Sequence, residues 1–256
     1  MNERIHWDNI APSYNDEIFD VFQSDKDGKL KRNLDSYANE NSSAIDFGCG
    51  TGKALPLLSP RFKTIEAIDI SGECLTTARA RGFENVHCKR MDLAGKSVRI
   101  TPVDFVFCCN VIMLPEIPRN EQMFLNIQRA LKPGGVAMIV VPSTDSMMYA
   151  AWRMIDWYRK EKVSVEDIPS SELAYFSGSK RDLLQGIIRI DGVPTKHYSA
   201  SELHVLMERA GLELNKLEQL NYDWTSEFAE PPSWMQGPYP WDWLVICKKP
   251  LADAAR

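Results

Sequence analysis

Much that would mark a specialised class of protein is missing from this chain. In its 256 residues no apolar run is long enough to cross a bilayer, which takes about 20 residues, so membrane insertion is not expected. The polar stretch Met1 to Asp8 lacks the apolar core of a secretory signal. No Gly-, Ser- or Pro-rich linker, internal repeat or low-complexity tract divides the sequence. Cations are not in surplus: 30 Lys and Arg face 35 Asp and Glu, a net charge of −5. That balance argues against a nucleic-acid surface, which needs clustered Lys and Arg. Six cysteines occur, none in C-x-x-C spacing, so no metal site is expected. Cys108 and Cys109 sit in an apolar run, where free Cys acts as a small apolar residue. A reduced, cytoplasmic protein is the expectation.

What is present is concentrated in Ala44-Ile45-Asp46-Phe47-Gly48-Cys49-Gly50-Thr51-Gly52-Lys53. Its apolar start reads as a strand leaving a core, and its glycines as a tight turn into a helix. Glycine suits a turn with positive φ, or backbone lying close to a ligand. A second strand-like run, Thr64 to Ile70, carries Asp69 near its end. An acid about 20 positions after such a loop is where nucleoside-binding folds hold ribose hydroxyls. The spacing Gly48-x-Gly50-x-Gly52 departs from the dinucleotide pattern G-x-G-x-x-G. Asp46, just before the loop, would repel a pyrophosphate and suits a cationic ligand.

S-adenosylmethionine carries such charge, on its sulfonium and its ammonium. The motifs resemble those of class I S-adenosylmethionine-dependent methyltransferases, of the type 11 or 25 kind. The resemblance continues through Arg90-Met91-Asp92-Leu93, Val103 to Asn110, and Ile127 to Gly135 before the fifth strand. It also includes Trp7 to Tyr14, similar to a helix that covers the cofactor in many members. It spans about residues 1 to 143 and resumes near 197. The resemblance implies a Rossmann-like α/β fold: a seven-stranded, mostly parallel sheet with an antiparallel last strand and helices on both faces. It implies a cofactor site of Asp46, Gly48, Cys49, Gly50, Gly52, Asp69, Ile70, Met91, Asp92, Leu93, Asn110 and Val111. In it Asp69 binds the ribose and Asp92 the adenine amino group, with Met91 and Leu93 flanking the ring. The product is S-adenosylhomocysteine.

Strands are predicted at 44–47, 65–69, 86–88, 103–108 and 136–141, and residues 17 to 40 read as helix, broken near Asp27-Gly28. Ser71 reads as a helix N-cap. Ser199, ahead of the apolar face of Leu203 to Leu212, opens the last large helix. Strands six and seven follow near 213–220 and at Trp243 to Lys248. The fit fails over residues 144 to 196, about fifty residues where the family has a short connection. The Met- and Trp-rich stretch 147–158 reads as helix, Lys180 to Gly186 as a second, and Ile187 to Ile190 as a short strand. We expect a core of 1–143 and 197–256 with 144–196 inserted as a helical lid over the acceptor. The Pro- and Trp-rich stretch 228–241 is a second candidate wall.

For chemistry, His197 ahead of the last core helix is placed at the pocket mouth. Its ordinary pKa of about 6.5 would let it accept a proton at neutral pH. Tyr14 is the second catalytic candidate, and His6, His87 and His204 read as structural or solvated. The expected reaction is methylation of N or O on a small molecule, by a monomer or homodimer. Methylation of a protein or peptide side chain, and a scaffold that binds the cofactor without turnover, stay open. Cys109-Asn110-Val111-Ile112 departs from the N-P-P-Y pattern of base amino-group methylation, a further argument against nucleic acid.

Overall fold

The computed structural model describes residues 3–11, 20–190 and 192–251. Its main sheet holds β1 (Asn39–Phe47), β2 (Phe62–Asp69), β3 (Val86–Arg90), β4 (Val103–Cys109), β5 (Leu131–Pro142), β8 (Glu213–Asn221) and β9 (Trp241–Lys248). The strand order is β3-β2-β1-β4-β5-β9-β8. Strands β1 to β5 pair parallel, and β9 runs antiparallel to both β5 and β8. This is the mostly parallel, seven-stranded arrangement that the resemblance implies.

Helices cover both faces because the central strands bury both faces. Ile45, Phe47, Val106, Cys108 and Ile139 point to one side. There they meet Phe124 and Ile127 of α6 (Ile117–Ala130) and Leu203 and Met207 of α9 (Ala200–Arg209). Ala44, Ala67, Phe105, Phe107 and Met138 point to the other. They pack on α2 (Val21–Ser24), α3 (Lys29–Tyr37), α4 (Leu55–Leu58) and α5 (Gly72–Ala80). The alternation in strand four is thus a two-sided core read at period two. α1 (Glu3–Ile10) lies on α5, where Ser71 donates to Asp8 at 2.6 Å.

Several boundaries differ from the sequence reading. β1 begins at Asn39, so the helix read through residue 40 stops at Tyr37. β2 starts at Phe62, and β5 at Leu131 rather than 136, because Leu131 pairs with Val103 ahead of the register shift at the glycine turn. Ser71 and Ser199 do cap their helices, accepting from the backbone N–H of Cys74 and Glu202.

After β5 the chain enters α7 (Thr144–Lys160), two short 3-10 turns and α8 (Lys180–Leu184). A hairpin of β6 (Ile187–Ile190) and β7 (Val193–Lys196) follows. The two ends of this excursion meet, since Ser143 bridges to Tyr198 and the Tyr198 N–H donates to the Pro142 carbonyl at 2.8 Å. Lys196, almost wholly buried, is held by both carboxylate oxygens of Glu202 at 2.6 and 2.7 Å. No helix among the described residues is long and apolar enough to cross a membrane.

The glycine turn offers a direct check. Gly48 has φ +81°, and a Cβ there would lie 2.3 Å from Val111 Cγ2, whereas at Gly82 (φ +75°) a Cβ meets only open space. Gly82→Ala should cost about 1 kcal/mol of unfolding free energy, the left-handed penalty alone. Gly48→Ala should cost roughly 2–4 kcal/mol, since the clash adds to it. Urea denaturation measures both, and equal losses would show that Val111 does not confine the turn.

Candidate functional site

The loop after β1 is tied to the end of β2. The N–H groups of Gly48 and Cys49 both donate to the Ile68 carbonyl, at 2.8 and 2.9 Å. Gly50 N–H donates to Asp69 Oδ2 at 2.8 Å and Ser71 N–H to Asp69 Oδ1 at 2.8 Å. Each Asp69 oxygen thus takes one backbone donor and keeps a lone pair for a hydroxyl. Burial raises the Asp69 carboxyl, and these backbone donors offset part of the rise. Asp46 is 2 % exposed, and its Oδ2 has no hydrogen-bond partner. Burial, then repulsion from Asp69, pushes its pKa up to about 8.

Beside this loop lies a cavity of about 480 Å³. Of the sequence-derived candidates, Asp46, Gly48, Cys49, Asn110 and His197 line it. Gly50, Gly52, Asp69, Ile70, Met91, Asp92, Leu93 and Val111 do not; most of them run along the ends of β2 and β3. There Asp69 pairs in register with Arg90, and Met91 N–H donates to the Asp69 carbonyl at 2.9 Å. Ile70 accepts from Arg90 Nε at 3.2 Å. Asp92 is exposed, ion-paired to Arg119 at 3.2 Å, and accepts from the Ala94 N–H. Leu93 is buried in the core, Met91 packs against it, and Val111 packs on Gly48. Burial raises the Cys49 thiol well above its ordinary value, which makes it an inert filler. Asn110 takes φ +52°, and its Oδ1 is buried without a partner. Tyr14 lies outside the described residues.

His197 differs from its sequence reading. It is 3 % exposed, not at an open mouth, and its Nδ1 lies 3.0 Å from the Thr195 carbonyl. Burial pushes its pKa down to about 4. The imidazole is therefore neutral at physiological pH and too weakly basic to titrate near neutrality. The reason is tertiary: the end of β7 inserts between Gly186 and Met113, whose carbonyls accept from His197 N–H and Lys196 N–H at 2.7 and 2.9 Å.

The sequence reading put a second wall at 228–241, of which Trp241 lines the cavity, but missed the residues flanking that stretch. Asp242 opens β9 and accepts from Tyr222 Oη at 2.8 Å and from Asn110 Nδ2 at 3.4 Å. Glu227 follows a 3-10 turn in the 222–241 loop. Both carboxylates line the cavity with Tyr222 and Trp241. Burial raises Asp242 to about 6; burial, then Asp242, raises Glu227 to about 7. The one available signal was Asp242 between two tryptophans in an otherwise apolar strand. From the 144–196 segment, Ser146, Met147, Tyr175, Ile190 and Thr195 complete the lining.

Comparison with known proteins identifies the family and the fold. Residues 22–217 match a family model described as a methyltransferase domain. The chain is 30% identical over 105 residues to a trans-aconitate 2-methyltransferase of Variovorax paradoxus, covering 40% of this chain and 39% of that protein. It is 29% identical over 151 residues to a malonyl-[acyl-carrier protein] O-methyltransferase of a Marinomonas species, covering 54% and 55%. The chain thus spans 39% and 55% of the length of these two curated relatives. The N-methyltransferase NodS of Bradyrhizobium japonicum, solved with S-adenosylhomocysteine, superimposes with TM-score 0.59 at 14% identity, over 98% of this chain and all of that one.

The raised Asp46 carboxyl makes a pH prediction. Between about 4 and about 8 the folded chain holds a proton there that the unfolded chain has released. Its contribution to stability therefore falls as pH rises through that window, at up to about 1.4 kcal/mol per pH unit. Asp46→Asn should flatten the stability profile there in denaturation across pH. An unchanged slope would refute the shift.

Proposed function

The chain belongs to the class I S-adenosylmethionine-dependent methyltransferases, and on that premise we propose that it methylates a nitrogen or oxygen of a small-molecule acceptor. The observation that carries this reading is the buried, unpartnered Asp46 oxygen on the cavity wall. A buried carboxylate without a partner is costly, and a cationic ligand removes that cost. The residues present therefore fit a sulfonium donor. Asp69 would hold the ribose hydroxyls with its remaining lone pairs, and Asp46 and Asn110 the charged amino-acid end. Asp92 would meet the adenine amino group, alongside its pairing with Arg119.

When bound, the cofactor supplies a methyl group already activated by the sulfonium, so positioning and exclusion of water are the protein's main task. In our reading residues 144–196 act as a lid. Their contact with the 222–241 loop supports this: Tyr149 stacks obliquely on Trp224 and Trp157 meets Phe228 edge-on, with ring centroids 5.6 and 5.9 Å apart. Neutral His197 serves as a hydrogen-bonding wall, not as the base.

Calorimetry should detect both S-adenosylmethionine and S-adenosylhomocysteine. Asp69→Ala should weaken either by roughly 1.5–3 kcal/mol, the worth of hydrogen bonds to a charged group. Undiminished affinity would remove Asp69 from the ribose site. With methyl-labelled cofactor and cell extract, label should enter the small-molecule fraction; label confined to precipitated protein would refute the acceptor class.

A further inference from the structure

The acceptor half of the cavity has a consistent charge. Its described lining carries Glu227 and Asp242 and no Lys or Arg; the one such residue among the cavity's described lining, Lys53 beside the glycine loop, already faces Asp20 at 3.5 Å. A carboxylate acceptor would enter a wall of like charge with no guanidinium to receive it, and the bidentate pairing such a group calls for is missing among the described residues. The unpaired polar atom on that wall is a donor, Trp241 Nε1, one N–H set against two carboxylates. Aromatic side chains share the lining: Phe22, Phe107, Tyr175, Tyr222 and Trp241. Carboxylates set among aromatic faces are the usual receptor for an organic cation.

We propose that the acceptor is an amine, received as its ammonium form by Glu227 and Asp242, with Glu227 taking the proton that frees its lone pair. The step balances: an N–H bond of the ammonium breaks, an O–H bond forms on Glu227, and the electron pair left on nitrogen becomes the nucleophile. The two carboxylates are differently placed for this work. Asp242 Oδ2 accepts from Tyr222 Oη at 2.8 Å, a bond that fixes it and favours its ionised form. Glu227 has only a long contact from Ser226, 3.4 Å, and stands on a loop, free to exchange a proton. Its pKa, raised to about 7, puts both protonation states within reach at neutral pH.

This inference rests on the methyl-transfer reading, which binding of S-adenosylhomocysteine to the wild-type protein tests separately. With the full chain saturated by S-adenosylhomocysteine, calorimetry would compare three frames (phenylethyl, indolylethyl and hexyl), each as amine, alcohol and carboxylate. In at least one frame the amine should bind about tenfold tighter than its alcohol and carboxylate partners. That preference should shrink to about twofold or less in Glu227→Gln/Asp242→Asn, with S-adenosylhomocysteine affinity kept as the sign of a folded site. Glu227→Gln alone should show an intermediate preference. A carboxylate or alcohol binding as well as its amine, no amine binding in any frame, or a preference that survives the double variant would each overturn the proposal.

Discussion

Two backbone N–H groups sharing one carbonyl organise this molecule: Gly48 and Cys49 both bind the Ile68 oxygen. That contact turns the chain sharply as it leaves β1 and draws the loop against the end of β2. It also sets Asp46 near enough to Asp69 to feel its charge. The cost of placing two carboxyls there is met partly by the backbone donors on Asp69 and partly by protonation of Asp46. One Asp46 oxygen is left unpartnered on the cavity wall, so the turn and the polarity of that wall come from the same constraint.

Strand β4 extends that logic across the sheet. Its end delivers Asn110 in a left-handed conformation, with one amide atom on Asp242 and the other unpaired. Asn110 therefore joins the two halves of the cavity. On one side lie the glycine loop and Asp46; on the other lie Asp242, Tyr222 and Glu227. The aromatic cluster built from Ala150, Trp224 and Met235, with Tyr149, Trp157 and Phe228 around it, holds the far wall in place.

What was legible in the sequence was local. The glycine turn, the acids at the ends of β1, β2 and β3, the capping serines and the two-sided apolar strands all declare themselves within a few residues. The antiparallel β9 was reached by resemblance and not by pattern. β7 escaped notice because Val193-Pro194-Thr195-Lys196 has no apolar alternation and contains a proline, tolerated only because this strand pairs on one edge alone. The burial of His197 depends on carbonyls from Gly186 and Met113, far away in the chain. Glu227 and Asp242 acquire meaning only when loop 222–241 folds against α7; the aromatic stretches that meet there were legible, but both acids fall just outside them.

The excursion from Thr144 to Lys196 begins and ends at one point, where Ser143 meets Tyr198 and buried Lys196 is clasped by Glu202. Its departure and return leave the register of the sheet untouched. A change of length within this segment can therefore be absorbed without moving β5 against β9. What closes it off from the sheet is a single knot of backbone and one ion pair.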